Sequence, residues 1–439
     1  MEPRTRLAPT KSDLIIFCRG DFNFMQKEEK KESERDHKKL GREMELFTFS
    51  DTVGKGLPLW LPKGATIRRE LERFIIDEEI RRGYLHVRTP DIAKLDLYKK
   101  SGHYPHYKDS MYAPIKIDDE EFMLRPMTCP HHFELYLSKP HSYRELPIRI
   151  AELAQLYRYE QSGELMGLQR VRAFCLADAH IICANEEQAV EEIGKALDLI
   201  EYITSIFNLK LDSDYRYRLS LGDRKNTEKY YKNDEAWEKG EDLLRKLMKK
   251  RGSKFEEAKN EAAFYGPKID IQMKNANEKE DTAFTVQYDF CMPERFNLNY
   301  MGEDGKDHRA FVVHRSSIGA IERIVAFLIE KYDGAFPLWL SPVQVKVIPV
   351  RENHNEYAKE IYEMLKENNI RAELDDKDGN LGGKVRDAKN NKIPYWVVIG
   401  DKEIEAKKVT LESRDSGNLG QISKEELVAK LSEEIKNKK

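Results

Sequence analysis

The run Leu156–Cys183, LYRYEQSGELMGLQRVRAFCLADAHIIC, decides how the rest of this chain is read. Apolar and polar residues alternate through Gln155-Leu156-Tyr157-Arg158 and again through Gln169-Arg170-Val171-Arg172, on either side of a turn-prone Gln161-Ser162-Gly163. That pattern predicts two antiparallel strands joined by a loop. Side chains at i and i+2 share a strand face, so Arg158 and Glu160 point one way, as do Arg170, Arg172 and Phe174, with Asp178 and His180 beyond. One sheet face then carries guanidinium, carboxylate, aromatic ring and imidazole. Arginine's planar fork of donors matches phosphate oxygens and cannot lose its charge, an aromatic face can stack on a purine, and a carboxylate can accept from an exocyclic amine. The set suits a nucleoside triphosphate. It equally suits a solvated, salt-bridged hairpin, and spacing alone leaves both readings open.

Composition bounds the rest. A chain of 439 residues is long enough for two or three domains and a sizeable core. With 35% charged and 40% hydrophobic residues and no apolar run approaching a membrane span, it reads as a soluble globular protein with no membrane partner. A net charge of -3 gives no bulk argument for nucleic acid, so any RNA footprint must be local. Five cysteines (Cys18, Cys129, Cys175, Cys183, Cys291) without CxxC spacing disfavour a disulfide framework and point to a reducing cytoplasm.

Residues 1–43 read as a charged extension, partly disordered, with Gln26 to Arg42 nearly all charge. Ile67, Leu71, Phe74, Ile75 and Ile80 predict an amphipathic helix ended by Gly83, followed by a strand Tyr84 to Val87. Glu186 to Phe207 is a second amphipathic helix, and Asn226 to Ala262 is helical in pattern with a break near Arg251-Gly252. AAFYGPKIDI and TAFTVQYDF read as strands, and FVVHRSSIGAIERIVAFLIEKY as strand, small-residue turn and helix. Past the proline-bracketed linker Pro337–Pro342, strand-like VQVKVIPV and YWVVI alternate with helical segments, and Ser423-Lys424-Glu425-Glu426 opens the last helix as a capping box. Gly379 to Lys384 does not make a phosphate loop, because Val385 stands where a magnesium-binding hydroxyl is needed.

RYEQSGEL followed by GLQRVRAF and DAH resembles the second signature motif of class II aminoacyl-tRNA synthetases, and in detail that of the threonyl-tRNA synthetases; the similarity runs from about Met44 onward. PLWLPKGATIRRELERFIIDEEIRRGYLHVRTPDI resembles the first motif, which implies a homodimer. The FVVHRSS stretch resembles the third motif, and GGKVRDAKNNKIPYWVVIGDKE resembles a shared anticodon-binding domain. The resemblance implies an α+β catalytic domain, an antiparallel sheet flanked by helices, over 44–340, and a smaller α/β anticodon-binding domain over 341–439. The regulatory and editing domains of the family find no match here, and no HxxxH pair of the editing type appears.

What the resemblance implies for the site is specific. Cys129, His180 and His314 match the family's zinc ligands; no spacing rule would select them. Arg158, Glu160, Arg170, Phe174 and Arg323 match ATP contacts, with Arg158 and Arg323 catalytic and magnesium accompanying the ATP. Met127, Asp178, Tyr265 and Gln287 match the amino-acid pocket. His103, in SGHYPHYKDSMY, matches the base used in transfer to tRNA, although a lone loop histidine also reads as merely solvated. Arg414 is the position carried over for anticodon contact, within a poorly matching strand. The implied activity is threonine–tRNA ligation with L-threonine, ATP and tRNA(Thr) as substrates, without clearance of seryl-tRNA by the chain itself and so with a separate editing protein as a partner. The chain departs from the family at Gln161, at Thr128 and His131 around Cys129, and at Cys175-Leu176-Ala177, where a polar group near the substrate carboxylate is missing. Another class II synthetase such as the prolyl enzyme, or a non-catalytic RNA-binding paralogue, remain the competing readings; the first would not explain Cys129, His180 and His314 together.

Overall fold

The computed structural model describes residues 35–439, which form one compact unit. Five helices matter for the site: α1 His37–Glu43, α2 Pro62–Arg81, α3 Cys129–Leu137, α4 Glu186–Ile206 and α5 Ile321–Lys331. They surround a sheet of eight strands: β1 Leu85–His86, β2 Ile148–Tyr157, β3 Ala173–Cys183, β4 Tyr215–Leu221, β5 Phe255–Lys259, β6 Lys268–Lys274, β7 Glu280–Asp289 and β8 Phe311–Ala320. The spatial order is β5-β4-β6-β7-β8-β3-β2-β1, antiparallel except at its two edges, where β5 pairs β4 and β1 pairs β2 in parallel.

The period of two sorts this sheet into faces. Ala177, Ala179, Ile181, Val313, Val286, Ile269 and Leu219 lie in one buried cluster with Ile67, Leu71 and Phe74 of α2, Ile193 and Ile200 of α4 and Ile324 and Leu328 of α5. The opposite face, carrying Asp178, His180, His314 and Gln287, is left for chemistry. The 3.6-residue spacing of Ile67, Leu71, Phe74 and Ile75 predicted α2, and all four are buried in it. Two charges cross the apolar layer. Arg315 is fully buried, 2.6 Å from Glu79 Oε1 and 4.1 Å from the Tyr84 ring centroid, and the Ser317 hydroxyl donates to the same carboxylate at 2.9 Å. Pairing is what lets both ions stay in the core.

Several expectations from sequence are corrected. The second hairpin strand begins at Ala173, not Gln169: residues 167–169 turn, with Gly167 at φ +51, and Arg170 is diverted to an isolated bridge with Met166. Phe255–Lys259 is an edge strand, not the tail of a helix. The small residues of FVVHRSSIGA do not form a turn before the helix but a register shift inside β8, between Ser316 and Ala320. Of the charged extension, residues 1–34 lie outside the described part. Residues 37–43 form the ordered helix α1, whose Leu40 packs into the core.

The C-terminal part is an α/β sheet as the strand–helix alternation predicted. Its strands are β9 Val345–Pro349, β10 Ala372–Leu374, β11 Tyr395–Ile399, β12 Lys408–Ser413 and β13 Gly417–Ser423, in the order β10-β9-β11-β12-β13. The preceding linker is not loose: Leu338, Trp339 and Leu340 are buried, and Arg371 donates to the carbonyls of Trp339 and Ser341 while pairing with Glu70 of α2 at 3.2 Å.

Gly319 sits at φ +71, and a Cβ there would stand 2.1 Å from the Ala283 carbonyl oxygen of β7. Gly319→Ala is therefore expected to lower the unfolding free energy by about 1–3 kcal/mol, read by denaturant titration; an unchanged midpoint would contradict this account of the β8 shift.

Candidate metal and nucleotide site

Strand register assembles the centre. His180 of β3 is paired directly with His314 of β8, which is paired in turn with Gln287 of β7, while Asp178 is paired with Ser316. Cys129 enters from above, at the first turn of α3. One donor atom from each of Cys129, His180 and His314 lies within 4.8 Å of the others, and all three residues are buried. The two imidazole centroids are 4.5 Å apart.

The donor set fits a soft divalent ion such as zinc. His314 Nε2 lies 2.6 Å from Asp289 Oδ2, which leaves Nδ1 available. His180 Nδ1 lies 2.8 Å from His132 Nδ1, which leaves Nε2 available. Each candidate ligand histidine thus has its other nitrogen engaged, as metal-binding imidazoles do. Burial, then the neighbouring His314, pushes His180 well below the ordinary histidine range, so it is neutral; burial pushes the Cys129 thiol up. A buried thiol among neutral imidazoles becomes a thiolate when a cation arrives. Three protein donors leave a four- or five-coordinate ion with open positions.

A second cluster, Asp36, His37 and Glu330, does not fit a metal. His37 Nδ1 lies 2.6 Å from Glu330 Oε1, its Nε2 accepts from the Leu168 N–H at 3.2 Å, and Asp36 caps α1 through the Lys38 N–H. Both ring nitrogens are occupied, so the cluster is a clasp holding α1 to the hairpin turn.

Tyr265 stacks on His314 with centroids 4.8 Å apart and meets Gln287 at 2.5 Å, so these two residues line one side of the centre. Asp178 is on the same sheet face, half-buried, its carboxyl raised by burial. Met127, like Tyr265, packs against the buried cluster that contains Cys129 and Phe133. His103 follows Gly102, which is left-handed at φ 79, and is buried rather than solvated. Its Nδ1 is 2.8 Å from Ser101 Oγ and its Nε2 3.8 Å from Cys129 Sγ. Burial, with His314 nearby, pushes it down to about 3, so it is a neutral imidazole.

Beyond Asp178 the same face becomes an arginine-lined cleft. The Arg158 N–H donates to the Arg172 carbonyl at 2.9 Å, extending the β2–β3 ladder by one rung past its last pair, Tyr157 and Ala173. The Arg158 side chain donates to the Pro126 carbonyl and lies 5.2 Å from the Phe174 ring centroid. Arg323, in the first turn of α5, donates to the carbonyls of Gln169 and Thr282. Arg170 is exposed and pairs with Glu160 at 2.8 Å. Phe174 packs with Ala154, Leu156, Leu176 and Ala320, so Leu176 makes the middle of the face apolar.

Arg414, the position carried over for anticodon contact, directly follows β12 and is engaged within the chain. Its Nε and Nη2 pair with Asp415, and Nη1 donates to the carbonyls of Phe336 and Lys392. That guanidinium brackets the linker with four of its five N–H donors engaged. Sequence reading missed His132 and Asp289, which touch the candidate ligand imidazoles from behind, and Glu152, which reaches His180 through His132. The one signal for Glu152 is a carboxylate inside the apolar alternation Ile150-Ala151-Glu152-Leu153.

Comparison with known families gives the class first. Residues 112–332 match the family described as tRNA synthetase class II core domain (G, H, P, S and T), and residues 344–434 match the anticodon binding domain. Threonine–tRNA ligase of Geobacillus kaustophilus (strain HTA426) is 51% identical over 407 residues, 92% of this chain and 62% of that protein; the Staphylococcus carnosus (strain TM300) enzyme of the same name is 48% identical over 97% of this chain and 65% of its own length. A crystal structure titled as the RNA binding domain of threonyl-tRNA synthetase from Cryptosporidium parvum superposes with a TM-score of 0.85 at 36% identity, covering 91% of this chain and 98% of that one. The chain belongs to the threonyl-tRNA synthetases, and it spans less than two thirds of the length of the curated relatives it matches.

Glu152 supplies a pH test of the buried frame. It accepts from Thr89 and Arg125 and from His132, and these bonds outweigh burial and hold it down to about 2, against 4.5 when exposed. A depressed carboxylate stabilises fully above its unfolded value and loses that contribution as pH falls toward its folded one. The stability gap between wild type and Glu152→Gln should therefore shrink between pH 5 and 2, by up to about 3 kcal/mol; a gap independent of pH in urea titrations would contradict it.

Proposed function

We propose that this chain joins L-threonine to tRNA(Thr) at the expense of ATP. The observation that supports the reading most is the meeting of Cys129, His180 and His314 within 4.8 Å beside the Arg158–Phe174–Arg323 cleft. Zinc held there would supply Lewis-acid positions for the α-amine and the side-chain hydroxyl of threonine. Asp178, Tyr265, Gln287 and Met127 surround the same space and orient the amino acid. Valine shares threonine's shape without the hydroxyl, and a site built to bond a hydroxyl rejects such an analogue by about 10⁴–10⁵-fold.

In the first step the threonine carboxylate attacks the α-phosphorus of ATP and the bond to pyrophosphate breaks. Arg158 offsets charge growing on the α-phosphoryl oxygens; burial, with Arg323 nearby, lowers its charge stability against the opposing pull of Glu160, so an anionic ligand is favoured beside it. Phe174 and Arg323 hold the adenine between them, Glu160 accepts from its amine, and Arg170 exchanges Glu160 for the far phosphate, with Mg2+ accompanying the nucleotide. In the second step a terminal ribose hydroxyl attacks the acyl carbon, AMP leaves, and the hydroxyl proton passes to His103 Nε2, the nitrogen that Ser101 does not engage.

Residues 344–434 would bind the anticodon arm, with Arg414 offering the one N–H that its internal partners leave. A second copy is proposed against β1, which is paired on one side only and carries Leu85 and, nearby on α2, Ile80 with more than half their surface exposed. Among the described residues no helix is long and apolar enough to cross a membrane, and the four cysteines there are free and buried, which suits a cytoplasmic setting.

ATP–pyrophosphate exchange should run with threonine, fall about 10–200-fold with serine and be undetectable with valine; equal rates with valine would overturn the reading. Because serine keeps the hydroxyl, the purified chain is also expected to accumulate seryl-tRNA, and rapid clearance of that product would contradict the proposed need for a separate editing protein.

A further inference from the structure

We propose that His132 and Glu152 are positioning residues that decide which ring nitrogen of His180 carries its proton, and thereby turn a bare Nε2 lone pair toward Cys129 and His314. The inference rests on the metal reading above and extends it to residues that would not themselves coordinate the ion.

Glu152 Oε1 takes the Thr89 N–H at 3.1 Å and both terminal nitrogens of Arg125 at 3.2 Å; Oε2 takes the Thr89 hydroxyl at 2.7 Å. Arg125 is fully buried and is held by Thr89 Oγ1 at 2.6 Å and the Gln155 carbonyl at 2.7 Å, so it cannot swing away. An ionised carboxylate accepts only, so His132 Nε2, 3.3 Å from Oε2, must be the protonated nitrogen of that ring. The other nitrogen of a neutral imidazole is an acceptor. With a single proton on the His132 ring, held at Nε2 by Glu152, Nδ1 accepts a hydrogen bond from His180 Nδ1–H at 2.8 Å, and His180 Nε2 is left bare. His314 reaches the same end directly, through Asp289. One ligand is thus oriented by a carboxylate and the other by a carboxylate acting through an imidazole.

Glu152→Gln turns this order around. Arg125 and the Thr89 N–H pin the amide oxygen at the Oε1 position, so the amide NH2 faces His132 Nε2 and donates to it. His132 must then donate from Nδ1, His180 Nδ1 must accept, and the proton sits on His180 Nε2, where a metal needs a lone pair. His132→Phe removes the acceptor, whereas His132→Asn places an amide oxygen near the former Nδ1 and preserves it.

The test uses the full chain, metal-free and then loaded. Two-bond proton–nitrogen correlation spectra of protein labelled with ¹⁵N-histidine, with His180 assigned through His180→Gln, should show the Nδ1–H form of His180 in the wild type and in His132→Asn and the Nε2–H form in Glu152→Gln. Zinc affinity, from competition with a chromophoric chelator, should fall about 10–100-fold in Glu152→Gln and His132→Phe and stay near wild type in His132→Asn. Unfolding midpoints of the metal-free proteins identify any variant that does not fold, and the wild-type tautomer remains decisive in that event. An Nε2–H wild type, or folded Glu152→Gln with wild-type tautomer and affinity, overturns the proposal alone. A wild type that binds no zinc at all overturns the metal reading and this proposal together.

Discussion

The pairing of β3 with β8, His180 opposite His314, is the constraint from which the rest of the site follows. Strand side chains alternate strictly, so a slip of β3 by one residue would turn His180 and Asp178 into the apolar layer, away from His314, and bring Ala179 out. Register is held by what each face must do: the buried face is filled by small and branched residues against α4 and α5, and only one alignment keeps those inside. The chemistry of the open face is therefore set by packing on the closed one.

The closed face also carries the cleft's framework. Glu322, at the start of α5, accepts from the Cys175 N–H at 2.9 Å and from Arg68 of α2 at 2.6 Å, so two helices are anchored to the β3 backbone beside Phe174. Arg323, the next residue, is thereby aimed across the cleft toward Gln169 and Thr282. Fixing these groups before substrate arrives is what makes electrostatic stabilisation effective, since no reorganisation is then needed during the reaction.

Much of this was legible in sequence because it depends on local periodicity. The spacing of Ile67, Leu71 and Phe74 gave α2, and the apolar alternation of β7 and β8 gave the strands that bring His314 and Gln287 together. Where periodicity misled, a contact remote in sequence had prevailed: the Arg172 N–H bonds to the Gly56 carbonyl at 2.7 Å, so the stretch before Arg172 leaves the ladder. Arg414 could be matched to a family position, but its partners, Phe336 and Lys392, are 78 and 22 residues away. His132 stood beside a noted substitution and its role stayed hidden, because nothing local indicates that a ring is wedged between a carboxylate on β2 and an imidazole on β3.

The proposed function requires a thiolate and two imidazoles from distant segments to share one ion. X-ray absorption at the zinc edge on the purified chain tests it most directly. The account predicts one ion per chain with a single sulfur at about 2.3 Å and two imidazole nitrogens at about 2.0–2.1 Å, the remaining positions filled by light atoms. A shell with no sulfur, or with several, would contradict it.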